Sequence, residues 1–272
     1  MTIEKFRSLF SYDQGRAGAV GVEREILITN PAGEVVPMAH KVLTGLERGI
    51  YEDAWNGPIV HLEKGAFGYE LSACQIETRV GPCALEELNG LLQRRDRELS
   101  AAFRHYGLRA LHSEVGPADM PLDVYPDPSG RYQQITKNMP REILLAACRV
   151  IGTHVHIGMP DHDTALRVYN HVIRHLAELC EMGNGSFGER LAIYKQMAPD
   201  YEPKPYASWE EYYQTALAKG FAEDPRKCWT LIRISVHGTI EFRMFGATDS
   251  LDRIVGWATR CHQLCRGAMT QT

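Results

Sequence analysis

Gly21-Val22-Glu23-Arg24-Glu25-Ile26-Leu27-Ile28 reads as a β-strand in which residues i and i+2 point to the same side. Glu23 and Glu25 therefore share one face, and Val22 and Ile26 suit a core on the other. The form recurs twice further along the chain. His154 and His156 alternate with Val155 and Ile157 between Gly152 and Gly158, and Glu241 and Arg243 alternate with Ile240 and Phe242 after Gly238-Thr239. Strands are expected over 20–28, 69–78, 150–158 and 231–245.

Between these stretches the period changes to that of a helix. Leu85, Leu88, Leu92, Leu99 and Phe103 line one face of a helix over 85–106, with Gly107 as its stop. Leu166, Val172, Ile173, Leu176 and Leu179 do the same over 164–182, up to Gly183. Ser208-Trp209-Glu210-Glu211 has the form of a capping box and opens a third helix to about Lys219. A fourth is expected over 251–265. Prolines mark 117–131 and 199–207 as loops. Strands and helices alternate irregularly, with no internal repeat or low-complexity tract. The class implied is α+β, a mainly antiparallel sheet with helices packed on it.

The chain has 272 residues, enough for one large domain, and its 44% hydrophobic and 24% charged content is that of an ordinary globular enzyme. A net charge of −4 gives no pull toward nucleic acid or an anionic membrane. No apolar run approaches the roughly 20 residues that span a bilayer, and the opening Met1-Thr2-Ile3-Glu4-Lys5-Phe6 has no signal-peptide core. The seven cysteines are odd in number and form no CxxC pair. They read as packing residues with reduced thiols, in keeping with a cytoplasmic location.

Six ionisable groups facing one side of a sheet are costly to bury without partners. A divalent cation relieves that cost, and carboxylate oxygens with an imidazole suit magnesium or manganese. Tyr69 to Arg79 adds Glu70 and Glu77. Their odd separation would set them on opposite faces of an unbroken strand. Either the segment bends or bulges, or only one of them faces the site. Taken singly, the Glu-x-Glu pair is ordinary strand surface and the Glu-x-Arg pair an ordinary cross-strand ion pair. Their joint occurrence with His-x-His argues for chemistry.

Four stretches together resemble the second glutamate–cysteine ligase family, in the family's order. They are Gly21 to Ile26, Glu70 to Cys83, Gly152 to Gly158 and Gly238 to Arg243. Arg131-Tyr132-Gln133-Gln134-Ile135 with Met139-Pro140, and Ser186 to Arg190, are similar as well. The resemblance implies a single catalytic domain over 1–272 with a glutamine-synthetase-like fold, a curved, mainly antiparallel sheet with helices on its outer face. It implies an ATP-dependent ligase that joins a small carboxylic acid to an amine through an acyl phosphate, with Mg2+ or Mn2+, in a homo-oligomer. By the same resemblance, Glu23, Glu25, Glu70, Glu77, His154 and Glu241 hold metal, His156 contacts phosphate, and Arg243 contacts the transferred phosphoryl group. Arg190 ends a segment that carries a substrate-side arginine. Lys137 and Arg131 could touch phosphate or a substrate carboxylate, or be plain surface charges. The chain is shorter than the family pattern between Gly158 and Gly238. No asparagine-serine-proline stretch is recognisable there, and Gly183-Asn184-Gly185-Ser186 stands roughly in its place.

Three other functions fit parts of this pattern. His-x-His with carboxylates could hold zinc and hydrolyse an amide. The same fold could transfer phosphate to a guanidino or carboxyl group and stop there. A silent binding protein would need none of these groups.

Overall fold

The computed structural model describes residues 1–48 and 65–270. Its spine is an open antiparallel sheet with β1 (Val20–Thr29) near the middle. The strand order is β2 (Phe67–Tyr69), β3 (Gln75–Cys83), β1, β5 (Gly152–Gly158), β7 (Thr239–Gly246), β6 (Ile232–Ser235), and β4 (Arg109–Leu111) pairs with the end of β1. The helices are α1 (Ile3–Arg7), α2 (Ala39–Arg48), α3 (Leu88–His105), α4 (Arg131–Thr136), α5 (Arg141–Arg149), α6 (His162–Val172), α7 (Leu176–Met182), α8 (Glu189–Met197), α9 (Trp209–Lys219) and α10 (Leu251–Met269).

Alternation along the strands divides the sheet into two unlike faces. Val22, Val80, Val155, Ile157, Ile240 and Phe242 point outward into the main core, against Leu88 and Leu92 of α3, Val168 of α6 and Trp257 of α10. The face that bears Glu23 and Glu25 has only a small apolar patch at one end, around Leu27, Cys148, Ile151 and Met120. This is the expected α+β architecture, with one face covered by helices and the other left for polar groups.

Three strand and helix expectations are corrected. The stretch 69–78 is not one strand. β2 ends at Tyr69, and β3 begins at Gln75 after a turn in which the Ser72 hydroxyl accepts the Cys74 N–H at 3.1 Å. Such a side-chain turn breaks a strand locally. The stretch 231–245 is a hairpin, β6 and β7, closed by the Gly238 N–H on the Ser235 carbonyl at 3.0 Å. The helix over 164–182 is likewise divided, into α6 and α7, by a tighter turn at Ile173–His175. The helix at Ser208 forms as read, with the Ser208 hydroxyl accepting the Glu211 N–H at 3.2 Å. The short or weakly patterned α1, α2, α4, α5, α8 and β4 have no counterpart in the sequence reading.

Gly238 has φ +69, and a Cβ there would lie 2.1 Å from the Ser11 carbonyl oxygen. Gly238→Ala is expected to cost about 1–3 kcal/mol, from the left-handed backbone and the close approach together. Urea unfolding measures it, and an unchanged midpoint would contradict the account.

Cys74, Cys148, Cys180, Cys228, Cys261 and Cys265 carry free thiols. No helix among the described residues is long and apolar enough to cross a membrane.

Candidate active site

Strand register brings the charged residues together. Across β1 and β3, Glu25 stands opposite Glu77 and Glu23 opposite Arg79. Across β1 and β5, Glu23 stands opposite His154. His156 stands opposite Glu241 across β5 and β7, and Arg233 opposite Glu241 across β6 and β7. Five strands therefore deliver Glu23, Glu25, Glu77, Arg79, His154, His156, Arg233, Glu241 and Arg243 to one cavity of roughly 600 Å³.

Glu70 joins them. Gly68 pairs with Glu77 across the β2–β3 hairpin, and Glu70 lies two residues beyond Gly68 on the same face. The turn at Ser72 resolves the odd separation of Glu70 and Glu77, because Glu70 follows the end of β2 and Glu77 lies on β3, beyond the turn. Both line the cavity.

The electrostatics of the cavity are uneven. At the β7 end, Glu241 accepts from Arg233 Nε at 2.7 Å and from Arg243 Nη1 at 2.5 Å. Burial would raise its pKa, but Arg233 and then Arg243 hold it far below the ordinary carboxylate value. Burial likewise opposes ionisation of Glu23, yet His156 foremost keeps it charged. At the β2–β3 end the balance reverses. Burial, then Glu77 and Glu25, push Glu70 well above the usual value. Burial, then Glu23, push Glu77 up to about 7 against the opposing pull of Arg79. Glu241 is thus held by two arginines at one end, while at the other Arg79 ion-pairs with Glu77 and burial with carboxylate repulsion still prevails.

The imidazoles sit between the two ends. His154 Nδ1 is 3.5 Å from Glu23 and its Nε2 is 3.6 Å from Glu25. Burial, and then Arg243, lower its pKa and favour the neutral ring, the form that ligates metal. His156 shares its Nδ1 with the Thr239 hydroxyl at 2.9 Å. Its Nε2 is buried without an aligned hydrogen bond, 3.4 Å from Glu23.

This donor set fits a hard divalent cation. The carboxylates Glu70 and Glu77, with Glu23, Glu25 and a neutral His154 beside them, offer oxygen-rich ligation. Among the described residues no three of these groups already converge as a ready ligand set, so the carboxylates would have to close on the ion. Glu241 is different: both its oxygens are already engaged by arginines.

The remaining sequence candidates separate. Arg131 lines the cavity, 3.7 Å from Asp224 and over the Tyr132 ring. Lys137 is exposed at the end of α4 and does not line the cavity. Arg190 lies under the site, only 2% exposed, and donates to the carbonyls of Ile151, Met244 and Arg243 at 2.8, 3.1 and 3.2 Å. Between Phe242 and Phe245, β7 carries one more residue than its partner β5. Such a bulge frees carbonyls from the ladder, and Arg190 satisfies two of them. This makes it a strut for the strand end that carries Arg243, rather than a free anchor for substrate.

The sequence reading missed several lining residues. Arg233 shares the parity of Glu241 and Arg243, and the period of two was the signal that could have found it. Tyr194, whose hydroxyl lies 3.5 Å from Arg243 Nε, and Trp229, whose ring lies 5.4 Å from the Arg243 guanidinium, come from segments without a motif. His237 also lines the cavity, from the hairpin turn. So do Tyr69, Tyr125 and Tyr132, of which Tyr69 and Tyr125 stack at 4.5 Å.

Comparison with known proteins bears on family and fold. The model of glutamate–cysteine ligase family 2 matches residues 19–180. A protein named "Putative glutamate--cysteine ligase 2-2" from Saccharopolyspora erythraea is 26% identical, over 92% of this chain and 65% of its own length. A "Putative glutamate--cysteine ligase 2" from Thermobifida fusca is also 26% identical, over 97% of this chain and 65% of its own. The chain thus spans about 65% of the length of these curated relatives. Among solved structures, a bifunctional glutathione synthetase from Pasteurella multocida superposes with a TM-score of 0.62 at 12% identity, covering 98% of this chain and 40% of that one. That likeness concerns the fold alone.

Proposed function

The chain belongs to glutamate–cysteine ligase family 2, and from that premise we propose that it is an ATP-dependent carboxylate–amine ligase acting through an acyl phosphate. The observation that carries this reading is the polarised cavity, in which crowded carboxylates at one end face a cluster of arginines at the other across two imidazoles.

A carboxylate does not condense with an amine at neutral pH, because oxide would have to leave. In the proposed reaction a carboxylate oxygen attacks the γ-phosphorus of ATP, and the bond to ADP breaks. The amine nitrogen then attacks the acyl carbon, the carbon–oxygen bond to phosphate breaks, and the amine gives up a proton. Arg243 is placed to neutralise charge on the moving phosphoryl group. Arg233 and Glu241 hold the Arg243 guanidinium in place, and the unaligned Nε2 of His156 is a free contact for a phosphate oxygen. Glu23, Glu25, Glu70, Glu77 and His154 would hold Mg2+ or Mn2+, which supplies further charge neutralisation at the phosphates.

A panel of carboxylic acids and amines with Mg-ATP tests this, with ADP, phosphate and amide read separately. Amine-dependent phosphate release with amide formation is expected. ADP with a stable phosphorylated acid and no amide would instead favour a phosphotransferase. Amide hydrolysis with zinc and without ATP would favour a hydrolase. Silence across the panel, together with no nucleotide binding, would overturn the proposal.

A further inference from the structure

Between Glu23 and Glu25, the Arg24 side chain points the other way, into the layer between sheet and helices. It is 1% exposed and among the largest fully buried side chains. Its Nη1 meets Asp96 of α3 at 2.5 Å, and its Nη2 reaches the Thr248 carbonyl at 3.4 Å. Across the sheet it stands opposite Thr78 on one side and Thr153 on the other. The neighbouring residue on the helix, Arg95, donates to the Arg79 carbonyl of β3 at 3.1 Å. Adjacent positions of α3 thus grip, from behind, the two strands that carry Glu23, Glu25 and Glu77.

Asp96 is 34% exposed, and an ion pair with one exposed partner adds little net stability; the best-attested use of a charge placed in a core is to specify register. β1 needs such a device. Ile26, Leu27 and Ile28 are all fully buried, so the apolar residues of both faces are satisfied at that end of the strand. They discriminate weakly between the two parities. A slip of one residue would turn every side chain to the opposite face. Arg24 would then enter the cavity beside Arg79 and Arg243, and a glutamate would take its place against Asp96 of α3.

We propose that the Arg24–Asp96 pair is a register key, which holds β1 in the parity that directs Glu23 and Glu25 into the cavity and makes Asp96 a positioning residue for the site. The proposal rests on the ligase reading only for its cation readout.

The test uses two variants, Arg24→Leu/Asp96→Leu, which replaces the pair with apolar packing, and Asp96→Asn. Hydrogen exchange of β1 amides is compared with that of β5, alongside melting temperature and Mn2+ titration. The double variant is expected to melt at or above the wild-type temperature. Its β1 amides should exchange about tenfold faster relative to β5, and its Mn2+ dissociation constant should rise about tenfold. Asp96→Asn should show the same two changes with a lowered melting temperature, and it decides the question if the double variant does not fold. Exchange that rises equally in β1 and β5, with Mn2+ affinity unchanged, would overturn the proposal and leave the pair a purely structural contact. A wild-type protein that binds no Mn2+ would count against the ligase reading, while the β1-to-β5 exchange ratio would still decide the key.

Discussion

Replacement of Arg243 by methionine is expected to lower the rate of amide formation roughly 10³-fold, by analogy with arginines that neutralise a moving phosphoryl group. The guanidinium is 7% exposed, fixed by Glu241 Oε1 at 2.5 Å and lying over the Trp229 ring at 5.4 Å. A group held this firmly costs little reorganisation at the moment of transfer. Methionine fills the space of the stem and leaves Glu241 still paired with Arg233 at 2.7 Å, so the fold should survive. Arg243→Lys should recover only part of the loss, because an ammonium cannot reproduce the planar fork. Single-turnover release of phosphate, with circular dichroism to confirm folding, makes the measurement. A variant within about threefold of wild type would remove Arg243 from the chemistry.

The metal-free protein is expected to lose stability as pH rises from about 5 to about 7.5. Glu77 has a folded pKa raised to about 7 from an ordinary 4.5, and Glu70 is raised as well. For a carboxyl raised in the folded state, the native form holds its proton longer than the unfolded chain does. Unfolding then releases protons in this window, and stability falls with rising pH until the folded group has itself ionised. Glu77 alone contributes a loss on the order of 3 kcal/mol. His154, lowered first by burial, works the other way below about 6.5. His156, raised by Glu23 and Glu241 against burial, adds to the loss above it. The two imidazoles thus act with opposite sign on either side of about 6.5, while the two carboxyls act in one direction throughout. Thermal unfolding in chelator across this range should show the decline, and Glu77→Gln should flatten it. Mg2+ should raise the melting temperature more at pH 8 than at pH 5, because ligation requires the ionised carboxylates. A flat profile in wild type would mean that Glu70 and Glu77 do not hold their protons in the folded protein across this range.

Much of the site was legible because a strand turns neighbours to opposite sides. Glu23 with Glu25, His154 with His156, and Glu241 with Arg243 could each be assigned to one face from the period of two. What lay beyond reach was anything set by a turn. The Ser72 hydroxyl bond that separates β2 from β3 is a single local contact, and no periodicity announces it. The parity of Glu70 relative to Glu77 therefore stayed open. The hairpin at Gly238 is hidden for a similar reason, since β6 and β7 both alternate apolar and polar residues and their run reads as continuous. Arg190 shows the opposite limit. A motif places it near the site, but only its three carbonyl partners show that its guanidinium is occupied by the backbone.

From sequence alone came the class of fold, the family resemblance and the set of acids and imidazoles that must share an environment. These follow from local rules, residue type and spacing along one strand. The tertiary structure alone decided which strand lies beside which, and therefore which charge meets which. Glu241 is neutralised by Arg233, eight residues earlier in the chain, while Glu77 faces Glu25 from a strand some fifty residues away. Register between separate strands depends on turns, bulges and the packing of α3 behind the sheet, and none of these is written in the spacing of a single segment.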